Sequence, residues 1–559
     1  GSMFRKIFFF IAVVLFGTAG AWDGIDRGIS DLFVRLKISH APLEQSPRII
    51  PVDLNDRAER NLGEKVDNRQ AFVDLFSVLG QGRLSGGMDF LFQGKKDPAI
   101  DRAMASAASG MESLVLAVVP VPENLTKFTG QDLSPEIRDE LKTHIWHPRV
   151  IDAGSIPRAA TFLLPNADLV RSARCLGHIG VMPDSDGLYR KVPLLYRWED
   201  GYMPSLSLAL AAADLKVDPA EIEIVAGKHI VLPVKNGQAV RIPVDESGFA
   251  WIPYPCLWEK GWSRIPLDAV VAAAAASEGR SSLVDQWMDG IVLAADLTTS
   301  HKDFGSTPLE AVYPLSGIHT SMLNGMLTGT FYRPLPVCVK VLIVCALFVL
   351  VTLVSGIRSR PAFHIAFIAI LALTVVVMTS LWFWSLILPW AAVPMLSVSG
   401  AWLGAGVIRL IRAHEERMLL QNALSRYFPR ALAARVLSEK KTELQPASKE
   451  LTILFSDISG FTRWSSEKSP EDVHGFLSDY LESMAAILFE HGGTVDKFMG
   501  DGILAFFGDP FDQPDHASRA LKAALAMQAK VAELREKWAP LVGIDLKVRV
   551  GVNSGRVIV

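Results

Sequence analysis

The chain has 559 residues, half of them apolar, with 56 basic against 59 acidic side chains and a formal net charge of −3. That length predicts about three to four domains. The near-neutral balance, without a basic tract, excludes nucleic acid as the partner. Residues 1–6 hold a Gly-Ser pair ahead of Met3, which reads as a tag remnant, and then Arg5 and Lys6. Residues 7–22 form the first of four hydrophobic stretches. It is short, and Ala19-Gly20-Ala21 fits a signal-peptidase site. A cleaved signal and a retained anchor both export the chain on their carboxyl side, so the orientation is the same for either.

Residues 23–333 read as α/β. Strand-like runs stand at RIIPVDL, SLVLAVVPV and GIVLAADL, and helical patterns at NRQAFVDLFSVLG, PSLSLALAAADL and LSGIHTSMLNGML. The segment from Asn124 to Ile156 has no readable period. Asp184-Ser185-Asp186-Gly187 has the look of a calcium loop, but the pattern wants Glu where Leu195 stands, so a turn with Asx hydrogen bonds is predicted. His319 is expected as a core or capping residue of the last helix. Cys175 and Cys256 lie in the exported part, and spacing leaves open whether they pair. Through RIIPVDLND, GMDFLF, PDSDGLYRKVPLL and PLSGIHTSMLNGML the region resembles the CHASE sensory domain of the second type. That resemblance implies an extracytoplasmic sensor with a ligand or partner still to be identified, and it favours a membrane anchor at 7–22.

Three further apolar stretches stand at 337–357, 362–384 and 386–408, almost free of charge beyond Lys340 and His364. About twenty apolar residues cross the hydrocarbon core of a bilayer. Arg5 and Lys6 precede the first span, Arg358 and Arg360 fill the loop after the second, and Arg409, Arg412 and Arg417 come after the fourth. Positive-inside places all of these in the cytoplasm and residues 23–333 outside, and the resemblance implies that the membrane is a bacterial inner membrane. Trp22 and Tyr332 then fall where aromatic belts are expected. Gly400 and Gly404 are spaced for close helix approach. Residues 409–446 are helical in composition until Pro429, and are expected to act as a signalling helix and linker.

The last segment, 447–559, carries the chemistry. LTILF is a strand-type run ending in Asp457, and TVDKF and ILAFF flank an Asp501-Gly502 turn, a strong hairpin signal. If those strands are neighbours, two carboxylates converge on one rim, where hard oxygen ligands suit Mg²⁺ or Mn²⁺ and phosphoryl transfer. A turn aspartate is ordinary by itself; the ordered set Asp457, Gly460-Phe461-Thr462, Lys497, Gly500, Asp501 and Gly502 is not. From Lys449 to Val559 the chain resembles the class III nucleotide cyclases. The expected fold is therefore α/β overall: a mixed α/β sensor, transmembrane helices, and the amino-terminal part of an α+β, ferredoxin-like cyclase domain.

The resemblance implies that Asp457, Asp501 and the carbonyl of Ile458 bind two Mg²⁺ or Mn²⁺ ions, and that Gly460, Phe461 and Thr462 hold the triphosphate through backbone N–H groups. It places Lys497 at the purine-reading position, where its ammonium donates to N1 of adenine and so favours ATP. Arg556 is a weaker candidate for the β- or γ-phosphate. It further implies a homodimer whose sites each draw aspartates from one chain and the purine-reading Lys from the other. The family continues past the NSGRV strand with groups that stabilise the transition state, which this chain does not contain, so the chain as given is expected to be catalytically incomplete. The reading is a membrane receptor adenylate cyclase. The alternatives are a non-catalytic sensor or scaffold with a dimerising cyclase-like segment, and a guanylate cyclase, which Lys497 disfavours.

Overall fold

The computed structural model describes residues 19–81, 84–111, 113–122, 133–234, 239–300, 303–388, 390–424, 448–509, 512–542 and 546–559. Most of the first hydrophobic stretch and the part of the expected linker after residue 424, with Pro429, lie outside these residues. The chain divides into two units, Gly1–Trp402 and Leu403–Val559.

The first unit is built on a mainly parallel sheet. Ile49–Leu54 lies between Ile265–Pro266 and Ile291–Asp296, and Ser85–Asp89, then Leu114–Pro122, extend it. The three strands expected from the apolar runs all lie here. A parallel sheet is covered on both faces, so its strands are apolar throughout rather than alternating. Val292 and Ala294 face a layer that includes Phe72, Phe76, Met104 and Val270, from helices on one side. Ile291, Leu293 and Ala295 face Leu206–Asp214 and Ser316–Thr328 on the other. Two glycines let those layers close on Ser85–Asp89: a Cβ on Gly86 would sit 3.0 Å from Leu79, and one on Gly87 2.8 Å from Leu210.

A second, four-stranded sheet runs in the order Ala239–Pro243, His229–Pro233, Glu223–Val225, Arg149–Asp152. Part of the unreadable Asn124–Ile156 region therefore resolves into a helix, Pro135–Lys142, and an edge strand exposed along its length. His319 is a core residue at 1% exposure, and burial holds its imidazole down at about 4. Cys175 and Cys256 are free thiols, each pushed up to about 12 by burial.

The Asp184–Gly187 segment is a turn, as expected, and it does more than turn. Arg190, 2% exposed on its side chain, donates all five guanidinium N–H groups: two to Asp31 at 2.8 Å each, one to Asp184 at 2.8 Å, and two to Asp186 at 2.7 and 2.9 Å. Asp31 belongs to the helix Ala19–His40. The same helix carries Asp26, whose Oδ1 accepts from the backbone N–H groups of Ala391 and Ala392 at 3.0 and 2.9 Å. Asp26 thus satisfies orphan donors at the start of the helix Ala392–Leu424.

Among the described residues three helices are long and apolar enough to cross a membrane: Val337–Ser355, Arg360–Ser385 and the Ala392–Leu419 part of Ala392–Leu424. The third begins later than the expected Leu386. Leu386 is left-handed, with φ +52°, and residues 386 and 388 instead exchange backbone hydrogen bonds with Arg333 at 3.0 and 2.8 Å. Pro389 in the sequence contributes, because proline disfavours helical geometry in the residue before it, Leu388. Tyr332, at the expected belt position, is 2% exposed and stacks on Trp382 with ring centroids 5.0 Å apart.

Carboxylates gather at the carboxyl ends of the parallel strands. Asp53 and Asp89 both stand level with Ala295, on either side of it, and Asp296 is one residue further along, opposite Leu54. Asp53 is bound by Arg264 at 3.1 Å. Asp89 is buried, and desolvation, then Asp303 and Asp296, push its carboxyl up to about 8. A carboxyl raised on folding binds more protons in the native state, so stability falls as pH rises from about 4 to about 8. Asp89→Asn is therefore expected to raise stability at pH 8 by at least about 1 kcal/mol and to flatten that slope, read from thermal melts of the purified protein between pH 5 and pH 8.

The second unit has the strand order Thr494–Met499, Gly502–Phe507, Ser448–Ile458, Val548–Ile558, antiparallel throughout. Pro470–Glu490 and His516–Val542 pack together over this sheet, burying Tyr480, Met484, Leu488, Met527 and Val531 against Leu454, Ile503 and Ala505. In chain order this is β-α-β-β-α-β, the ferredoxin-like arrangement expected from the sequence.

Candidate active site

Asp457 is the second-to-last residue of its strand, and Asp501 is the tip of the hairpin between Thr494–Met499 and Gly502–Phe507. Gly500 enters the tip at φ +66°, a conformation that favours glycine. The two hairpin strands differ in their neighbours: only Gly502–Phe507 pairs with the Asp457 strand, with Ser456 opposite Ile503. Asp457 is one residue beyond that pair. The hairpin is locked there by a hydrogen bond, as the Ile458 N–H donates to Asp501 Oδ2 at 3.0 Å.

The two expected carboxylates are thus brought to one rim. Burial is the main cause that raises the Asp501 carboxyl above its ordinary range, and the charge of Asp457 raises it further; the Ile458 N–H acts in the opposite sense. Tyr480, on the helix beneath, is 0% exposed, and burial, followed by the charges of Asp501 and Asp457, pushes its phenol up to about 12. Two close carboxylates beside a buried neutral phenol form a site whose unmet requirement is positive charge. Among the described residues no third His, Cys or acidic side chain joins them. That donor set fits Mg²⁺ or Mn²⁺, since small hard ions are commonly held by one or two carboxylates with substrate phosphates and water completing the shell.

Gly460 takes φ +75° and has open space where a Cβ would be. Its carbonyl accepts from the Trp464 N–H at 3.1 Å as Phe461–Ser465 forms one short helical turn. Thr462 is exposed and Phe461 half-buried beside Trp464, ring centroids 5.6 Å apart. Lys497 is exposed on the hairpin, next to a register shift, and its ammonium lies 3.2 Å from Asp496.

Arg556 is not at this rim. It pairs opposite Glu450, seven residues along the strand from Asp457, or about 23 Å at strand rise. The residue opposite Asp457 is Arg549. Arg549 and Tyr480 are the site neighbours that sequence reasoning missed. The only local sign was the alternating KVRVGV run, which fixes a strand and leaves its register open.

A family model described as the CHASE2 domain matches residues 7–357, over half of the chain, and one described as the adenylate and guanylate cyclase catalytic domain matches 444–559. The adenylate cyclase of Anabaena cylindrica is 33% identical over 116 residues, 20% of this chain and 22% of that protein. The receptor-type guanylate cyclase Gyc76C of Drosophila melanogaster is 32% identical over 146 residues, 26% of this chain and 9% of that protein. Among solved structures, the adenylyl cyclase CyaB from P. aeruginosa matches at 39% identity, covering 21% of this chain and 60% of that one, with a TM-score of 0.20. The chain spans about a fifth of the length of the first curated relatives it matches.

Proposed function

The chain belongs to the CHASE2 domain family and joins that sensor to a class III adenylate/guanylate cyclase catalytic domain, and from this we propose that it is a membrane receptor adenylate cyclase. In this reading residues 23–333 sense a stimulus outside the bacterial inner membrane, the apolar helices cross it, and residues 447–559 act on ATP in the cytoplasm as a homodimer. The observation that carries the chemistry is the 3.0 Å bond from Ile458 N–H to Asp501, which holds a second carboxylate beside Asp457.

The reaction joins the ribose 3′-oxygen to the α-phosphorus of the same ATP and releases pyrophosphate. Bound through Asp457, Asp501 and the Ile458 carbonyl, two divalent ions supply acidity to the 3′-hydroxyl and neutralise triphosphate charge. The chain's own residues do the rest by positioning. Backbone N–H groups at Gly460, Phe461 and Thr462 orient the phosphates, and Lys497 of the second chain donates to adenine N1. Asp457 and Lys497 of one chain then serve different sites.

Incubating a form that also carries the family's transition-state groups after the NSGRV strand with ATP or GTP, and identifying the products by mass spectrometry, tests this reading; cyclic GMP as the main product overturns the purine assignment. Lys497→Glu is expected to lower ATP turnover by at least about tenfold, the worth of one charged hydrogen bond. Asp457→Ala chains mixed with Lys497→Ala chains should regain part of the activity, because one composite site is intact. No recovery in a verified mixed dimer overturns the shared site.

A further inference from the structure

We propose that the first unit binds the phosphate of an anionic phospholipid headgroup in a basic cleft at the point where its chain enters the membrane. The cleft has a volume of about 980 Å³ and draws its cations from separate segments. Lys228 is in the turn between Glu223–Val225 and His229–Pro233, and Arg241 is on the neighbouring strand, opposite Val231. Arg333 is in the loop that precedes the helix Val337–Ser355, and Lys340 is in its first turns. His229 adds a titratable ring.

Five features favour a lipid. None of Lys228, Arg241, Arg333 and Lys340 has an ion pair among the described residues, so their charge is free for a ligand. Of the two carboxylates at the cleft, Asp245 is engaged by Lys191 at 2.9 Å, leaving only Glu246 against four cations. The turn that presents Lys228 is fixed, with Gly227 at φ +76° and its N–H bonded to the Asp245 carbonyl at 3.0 Å. The cleft continues onto apolar surface: Pro334, Leu335 and Val337 line it, and Val337 is 68% exposed. Cations above an apolar helix face match a phosphodiester above acyl chains, whereas free phosphate would use only the upper half. The Lys340 ammonium lies 5.4 Å from the Trp390 ring, an aromatic at the level that interfacial Trp residues occupy.

The inference rests on the membrane reading of Val337–Ser355. The protein is purified in detergent, incorporated into nanodiscs of phosphatidylcholine with a minority of phosphatidylglycerol, and its retained lipid measured by native mass spectrometry. Phosphatidylglycerol should be retained in preference to phosphatidylcholine. At about fivefold per cation removed near an anionic surface, the Lys228→Ala/Arg241→Ala/Arg333→Ala variant should lose more than tenfold of that retention. The charge-keeping variant Lys228→Arg/Arg241→Lys/Arg333→Lys should keep it, which separates lost charge from lost folding. Lys95→Ala/Lys96→Ala, on exposed residues outside the cleft, should also keep it. Equal retention by the alanine and charge-keeping variants overturns the site. Displacement of the lipid by millimolar inorganic phosphate overturns the lipid assignment in favour of free phosphate. Recovery of the protein in a detergent-free soluble fraction overturns the membrane reading, and the lipid site with it.

Discussion

In the form that carries the family's transition-state groups, replacing Asp457 or Asp501 by alanine should cut cyclic AMP formation by about a hundredfold or more, the scale seen when one preorganised electrostatic group is removed from a reacting centre. Each change removes half of the carboxylate pair, so Mn²⁺ affinity, read by titration calorimetry without turnover, should fall in parallel. Asp501→Asn separates charge from position. Its amide oxygen can still accept from the Ile458 N–H, which now binds Asp501 at 3.0 Å, so the hairpin keeps its place while the anion is lost. Near-parent activity and Mn²⁺ affinity in Asp501→Asn would remove the metal assignment. Loss of both with an unchanged melting temperature would support it.

The largest stability effect is expected at Arg190, in the sensor unit. Arg190→Ala leaves Asp31, Asp184 and Asp186 facing one another without their shared cation, and breaking a buried pair from one side typically costs about 3–5 kcal/mol. Thermal melts of the purified protein should show it, with Arg190→Lys intermediate because an ammonium cannot serve three carboxylates with five donors. Hydrogen bonds from Arg190 hold the Asp186 carboxyl down at about 2. A depressed carboxyl stabilises the fold above its unfolded value of about 4, and that contribution disappears as pH falls towards 2. The parent should therefore lose stability over that acid range more steeply than Arg190→Ala. Identical acid profiles would show that the cluster is not coupled to folding.

Periodicity made the strands and helices of both units legible, because apolar runs and amphipathic patterns are local properties. Asp501 was legible for the same reason: Asp-Gly between two apolar runs fixes a hairpin tip. What escaped depends on partners distant in sequence. Arg190 and Asp31 are 159 residues apart, and Asp26 and Ala391 are 365 apart. Arg549 and Arg556 occupy the same strand, and only its register against Ser448–Ile458 shows which one stands opposite Asp457. The Pro135–Lys142 helix was partly within reach, since Ser134 before Pro135 is a start signal and its hydroxyl accepts from the Ile137 N–H at 3.4 Å. The low apolar content of that segment concealed it.

Asp26 and Asp31 give the helix Ala19–His40 a mechanical character. Five residues separate them, about 7.5 Å along the axis and about 140° around it. One carboxylate grips the Asp184–Arg190 turn, and the other grips the amino terminus of Ala392–Leu424, the helix that leads in sequence to the catalytic domain. The helix is thus held like a shaft between two bearings set on different sides. Rotation or sliding that keeps the Arg190 grip must strain or release the Asp26 cap. The turn and the head of the helix Ala392–Leu424 are thereby mechanically coupled through one helix.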